Sequence, residues 1–159
     1  MPTRLIIFLL AFAACACTGR SDSSTTESTE TTEAVATADS GEEARTAVAE
    51  SLYRIVLGIE PDGDITPYCT SAMLERLAKA YDFDGEGYAT WLLRSGAQDG
   101  DDATEIVAID ADADNTVIVS YVDMGNPGMT RLHFKEEGGA WKVDDATNAA
   151  GESVFNAGI

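Results

Sequence analysis

A single histidine, His133, occurs in 159 residues, which excludes any metal site built on two imidazoles. Cysteine is almost as scarce. Cys15, Cys17 and Cys69 are too few and too clustered for a disulfide framework or a zinc site, and Cys69 is left as the one thiol of the folded part. Positive charge is short as well: 10 basic residues face 28 acidic ones, a net charge of −18. Nucleic acid and anionic lipid headgroups would be repelled by such a chain. No apolar run approaches the roughly 20 residues that a spanning helix needs. Also missing are a phosphate-cradling glycine loop and a nucleophile elbow, so no cofactor is expected.

The longest apolar run is Leu5 to Ala14 (LIIFLLAFAA), ten residues preceded by Arg4. Its length suits the core of an export signal. The small residues Ala13 and Ala14 before Cys15 resemble a bacterial lipobox, with Phe12 where leucine is usual. That resemblance implies cleavage after residue 14 and a diacylglyceryl group on Cys15; Cys17, preceded by Ala16, is the alternative site. The next stretch, Thr18 to Gly41, is rich in Ser, Thr and Glu and has no aromatic residue. It cannot bury enough apolar surface to offset its ordering entropy and reads as a disordered tether, 15–41 including the cysteine. The expected home is the bacterial cell envelope, with attachment to the membrane through the lipid alone.

A folded domain is expected over 42–147. Ser40 and Glu43 have capping-box spacing, and Ala44, Val48, Leu52, Ile55 and Ile59 recur at helical intervals, which predicts a helix over about 42–58. Gly58 and Pro61 stop it. A second helix opens at Thr66-Pro67 or at Thr70, with Met73, Leu74, Leu77, Ala78 and Tyr81 as its buried stripe. Tyr88 to Arg94 suggests a further short helix anchored in the core by Trp91. Beyond Asp102 the period changes to two. Four strands follow, Glu105–Asp110, Thr116–Asp123, Thr130–Glu136 and Ala140–Asp144, joined by turns at Asp112–Asn115, Gly125–Gly128 and Glu137–Gly139. Helices first and an antiparallel meander second give an α+β domain. The tail 148–159 is expected to be loosely held.

Two helices, an aromatic-bearing segment ending Ala97-Gln98-Asp99, and strands closing on Gly139-Ala140-Trp141-Lys142-Val143-Asp144 resemble the domain-of-unknown-function 3828 group over roughly residues 44 to 147. Those small exported bacterial proteins, often lipoproteins, are similar to nuclear transport factor 2. The resemblance implies a cone-shaped fold, with two or three helices packed on a curved four-stranded sheet and a cavity that some relatives use for ligands. It implies no activity.

Several residues invite chemistry. Asp110, Asp112 and Asp114 begin like a calcium loop, but Asn115 replaces the turn glycine and Tyr121 the bidentate glutamate. Asp82, Asp84 and Glu86 with Gly87 fail in the same way, at Leu93. Solvated turn acids account for both. Gln98 and Asp99 could line a cavity or cap the loop before the first strand. Alternation places Arg131, His133, Lys135 and Lys142 outward on two neighbouring strands, with Leu132, Phe134, Trp141 and Val143 inward. Positive charge therefore gathers on one face of an acidic protein, as an interaction surface or as cross-strand pairing with acids. The leading expectation is a non-enzymatic module that binds an envelope protein or a small ligand. The alternatives are a cavity-based enzyme using Asp99 or Asp123 as base, and an envelope inhibitor or immunity protein. An enzyme should show a pocket holding a buried carboxylate with a raised pKa, and a protein-binding module an exposed patch with aromatic anchors.

Overall fold

The computed structural model describes residues 31–94 and 103–156, with the backbone alone for 31–40. Cys15, Cys17, Gln98 and Asp99 lie outside the described residues. The element order is α1 (Thr31–Val56), α2 (Ser71–Lys79), a 3-10 turn (Thr90–Leu93), then β1 (Glu105–Asp112), β2 (Thr116–Asp123), β3 (Asn126–Glu137) and β4 (Ala140–Asn148). The four strands form one antiparallel sheet in the order β1-β2-β3-β4. The α+β class and the meander match the expectation.

Each hairpin closes on two successive residues of positive φ: Asp114 and Asn115, Met124 and Gly125, Gly138 and Gly139. That conformation matches the twist of the flanking strands, hence tight turns and a fixed register. The second turn occupies only Met124-Gly125, so Asn126 to Gly128 belong to β3 rather than to the expected turn. Along β2 and β3, Val117, Val119, Tyr121, Leu132 and Phe134 point to the helices and are buried. The partners across β4 are Val143 and Ala146.

Helix α1 begins at Thr31, inside the stretch expected to be tether, and passes through Ser40-Gly41 without a cap. Ala34, Ala36 and Ala38 are strong helix formers, and a helix already held by packing propagates at small cost. A Cβ at Gly41 would meet the Arg45 guanidinium at 3.3 Å and the Trp141 indole only at ordinary contact distance, 3.7 Å, so the glycine lies where α1 passes closest to this pair. The buried stripe of α1 is Ala49, Leu52, Tyr53 and Val56, turned one residue from the expected phase; Ala44 and Ile59 are exposed. Helix α1 packs across β1, β2 and β4, and α2 packs on β4.

Helix α2 starts at Thr70, not at Thr66. The Thr70 hydroxyl accepts from Met73 N (3.2 Å) and donates to Asp144 Oδ1 (2.8 Å). Glu137 accepts from Ser71 N at 3.2 Å, adding negative charge at the positive end of the helix. Met73 and Leu77 are buried as expected, whereas Ala78 is exposed. Just before this helix, Tyr68–Thr70 runs parallel beside β4 (Val143 N to Tyr68 O 2.8 Å, Thr70 N to Val143 O 2.9 Å). This pairing buries Cys69, and burial pushes its thiol pKa up to about 12.

The tail is not loose as far as Asn156. Val154 N donates to Ala146 O (3.1 Å), Val154 is buried, and Arg76 stacks on the Phe155 ring at 4.3 Å. The Asn148–Glu152 turn, closed by Asn148 N to Glu152 O at 2.9 Å, brings these two apolar residues back against the fold. Trp141 faces the helices but is only half-buried, with the Arg45 guanidinium 4.9 Å from its ring centre.

Candidate binding surface

Trp91 was expected inside. In a 3-10 turn residues three apart eclipse, so Thr90–Leu93 can turn only one of its bulky side chains fully inward, and Leu93 takes that place. Trp91 turns outward, 37% exposed, and meets two other rings. Its ring centre lies 5.7 Å from that of Tyr81 and 5.4 Å from that of Phe83, and Tyr81 and Phe83 are 5.6 Å apart. The planes meet at 41–84°, the tilted and edge-to-face geometry that aromatic quadrupoles favour. Phe83 is 64% exposed, so the cluster is an open platform rather than a core.

The loop is built to hold it. Ala89 N donates to Leu77 O (3.0 Å), fastening the far end of the loop to α2. A Cβ at Gly87 would fall 2.6 Å from a ring carbon of Tyr81, so only glycine lets the backbone lie against that ring. Gly85, at φ +100°, makes the bend. Beside the rings is a cleft of about 650 Å³ lined by Ala78, Tyr81, Glu86, Gly87 and Tyr88. Asp82, Asp84 and Glu86 alternate with the aromatic positions and are exposed; among the described residues none of them is in an ion pair. The sequence signal was the run Tyr-Asp-Phe-Asp, aromatic and acid in alternation, outside any strand.

A second polar cluster lies at the other end of the 3-10 turn. Arg94 Nε donates to Asp123 Oδ2 at 2.8 Å and Nη2 donates to Oδ1, a two-pronged pair in which Asp123 is 1% and Arg94 29% exposed. This contact raises the guanidinium pKa. Next to it, Leu93 O accepts from Tyr53 (2.8 Å), Thr130 (3.2 Å) and Tyr121 (3.4 Å). Burial raises both phenol pKa values, Tyr53 the more strongly. A pocket of about 400 Å³ opens between this cluster and the Asn148–Ala150 turn.

The strand register places Arg131, His133, Lys135 and Lys142 together on the sheet face away from the helices, with Lys135 opposite Lys142. Three of the four have a partner within the fold. Lys142 Nζ lies 3.7 Å from Glu137, Arg131 donates to Ala149 O at 3.4 Å, and the His133 ring nitrogens meet Thr116 (3.2 Å) and Thr147 (3.4 Å) hydroxyls. Asp110 and Asp112 stand on the exposed side of β1, and Asp114 in the turn. Among the described residues no three His, Cys, Asp or Glu side chains are grouped to hold a metal ion. Among them, too, no helix is long and apolar enough to cross a membrane. No family model, curated protein or solved structure matches the chain.

Proposed function

We propose that the chain is a bacterial envelope lipoprotein, anchored by a diacylglyceryl group on Cys15, whose domain is a non-enzymatic binding module with the cone-shaped architecture of nuclear transport factor 2. The helices-then-meander order supports that architecture. The exposed platform of Tyr81, Phe83 and Trp91 carries the binding reading. Phe83, the most exposed of the three rings, stands to gain up to about 1.5–3 kcal/mol when a partner covers it, and the part-covered Tyr81 and Trp91 gain less; contiguous exposed apolar surface marks interaction sites. A catalytic role for Asp123 fits the geometry less well. Both its oxygens accept from Arg94 and its side chain is 1% exposed, so it is committed to a buried pair and closed to a substrate. The basic face fits an interaction less well than the platform does, because Arg131, His133 and Lys142 each have a partner within the fold and no aromatic anchor stands among them.

The test is capture from the protein's own envelope by the full chain and by the Phe83→Ala, Trp91→Ala double variant. The two should melt within a few degrees of each other, and the variant should lose the partner. Recovery of the same partner at the same yield by both would overturn the reading.

A further inference from the structure

We infer that the platform docks a basic, arginine-bearing segment of a partner protein. The inference rests on the binding reading above and adds the chemistry of the partner. Three observations support it. Asp82, Asp84 and Glu86 interleave with the aromatic positions, and no basic side chain among the described residues neutralises them. The whole chain carries −18, so its field draws cationic segments from a distance. The rings meet at 41–84° and so offer both faces and edges, and a planar guanidinium can lie on such a face. The same chemistry occurs twice within the fold, where Arg45 stacks on Trp141 and Arg76 on Phe155.

An anionic membrane is disfavoured as the occupant. Sinking Phe83 and Trp91 into a headgroup layer would press the carboxylates of Asp82, Asp84 and Glu86 against like charge. A sugar face is disfavoured because no two of the three rings are coplanar.

The experiment uses the full chain in nanodiscs of zwitterionic lipid and a fluorescein-labelled peptide alternating arginine and leucine, read by anisotropy. Empty nanodiscs and a glutamate–leucine peptide are the controls. The arginine peptide should bind, and its lysine counterpart about threefold more weakly, since lysine cannot stack as a plane. Phe83→Ala with Trp91→Ala should weaken binding at least about tenfold. Asp82→Asn, Asp84→Asn and Glu86→Gln together should weaken it about tenfold at low salt and flatten its salt dependence.

Equal binding by the wild type and both variants would mean general attraction to a polyanion and would overturn the inference. So would dependence on the rings without dependence on the carboxylates, with sedimentation then showing whether a second copy is the occupant. Recruitment to anionic vesicles that improves in the neutralised variant would assign the platform to a membrane instead. Failure of the peptide while envelope capture still needs Phe83 and Trp91 would sink the basic partner alone. Failure of both would sink the binding reading too.

Discussion

Removing either partner of the Arg94–Asp123 pair should damage the fold unequally, and the direction follows from exposure. Asp123 is 1% exposed, so Arg94→Ala strands a carboxylate with little access to water. Breaking a buried pair in this way costs about 3–5 kcal/mol. Arg94 is 29% exposed, so after Asp123→Asn the guanidinium can rehydrate and keep one hydrogen bond to the amide oxygen. We expect about 1–2 kcal/mol for that change. The double variant carries no stranded charge and should be less destabilised than the sum of the singles, a coupling of about 2 kcal/mol. Urea unfolding of the four full-length chains measures all three quantities, and roughly 4 °C of melting temperature per kcal/mol is expected alongside. An Asp123→Asn loss equal to that of Arg94→Ala, or a coupling below about 0.5 kcal/mol, would refute the pair as the organiser of this end of the fold.

Leu93→Ala should cost about 2–5 kcal/mol, whereas Trp91→Ala should cost less than about 1 kcal/mol despite the larger side chain, both read by thermal melting. Trp141→Ala falls between, at about 1–2 kcal/mol, because the indole is half-covered. Stability should decline above pH 9. The Cys69 thiol ionises near 9.0 when unfolded and is pushed up to about 12 when folded, so its contribution is complete below pH 9 and is lost as pH rises towards 12, on the order of 4 kcal/mol in full. Tyr53 and Tyr121, also raised, add to the loss above pH 10; Cys69→Ala should shift the onset upward, and an unchanged alkaline profile would contradict this. Mass spectrometry of the mature protein should find a diacylated Cys15 at the amino terminus; an intact Met1 would end the lipoprotein reading. Replacing Arg131, Lys135 and Lys142 with glutamine should change stability by less than about 0.5 kcal/mol per site in urea titrations and leave platform binding intact.

The sheet was legible because alternation is a local property: each strand shows its inward set, and paired turn residues such as Asn115 and Gly125 mark where it reverses. Helix α2 was legible through its Thr70 cap and the Met73–Leu77 spacing. The start of α1 was not, since Ser40-Gly41 reads as a boundary while the adjacent alanines let the helix continue. Its phase was off by one because Leu52 belongs to both possible stripes, and only the sheet beneath selects Ala49 and Val56 over Ala44 and Ile59. Trp91 was misplaced by size. A tryptophan near the core is ordinarily an anchor, but a four-residue 3-10 turn spares one full place inside, and Leu93 takes it. The Arg94–Asp123 pair gave no signal at all, because its members stand 29 positions apart, with the whole of β1 between them. The docked tail did carry a hint in Val154 and Phe155, two apolar residues amid polar ones.

The pairing of Tyr68–Thr70 alongside β4 also bears on how such proteins coexist at high density. A meander has two bare rims, each able to recruit a strand from a neighbour and begin sheet growth from one molecule to the next. One rim is closed by the chain itself, since the Val143 amide and carbonyl are both taken by Tyr68 and Thr70. The other, β1, is spoiled rather than closed: its register breaks at Val107, and Glu105, Asp110 and Asp112 project from it exposed. Both defences would matter most for molecules confined to a surface by a lipid, where local concentration is high and reorientation is limited. On that footing Val107, exposed at the break, is where a single change would first turn a crowded layer into an aggregating one.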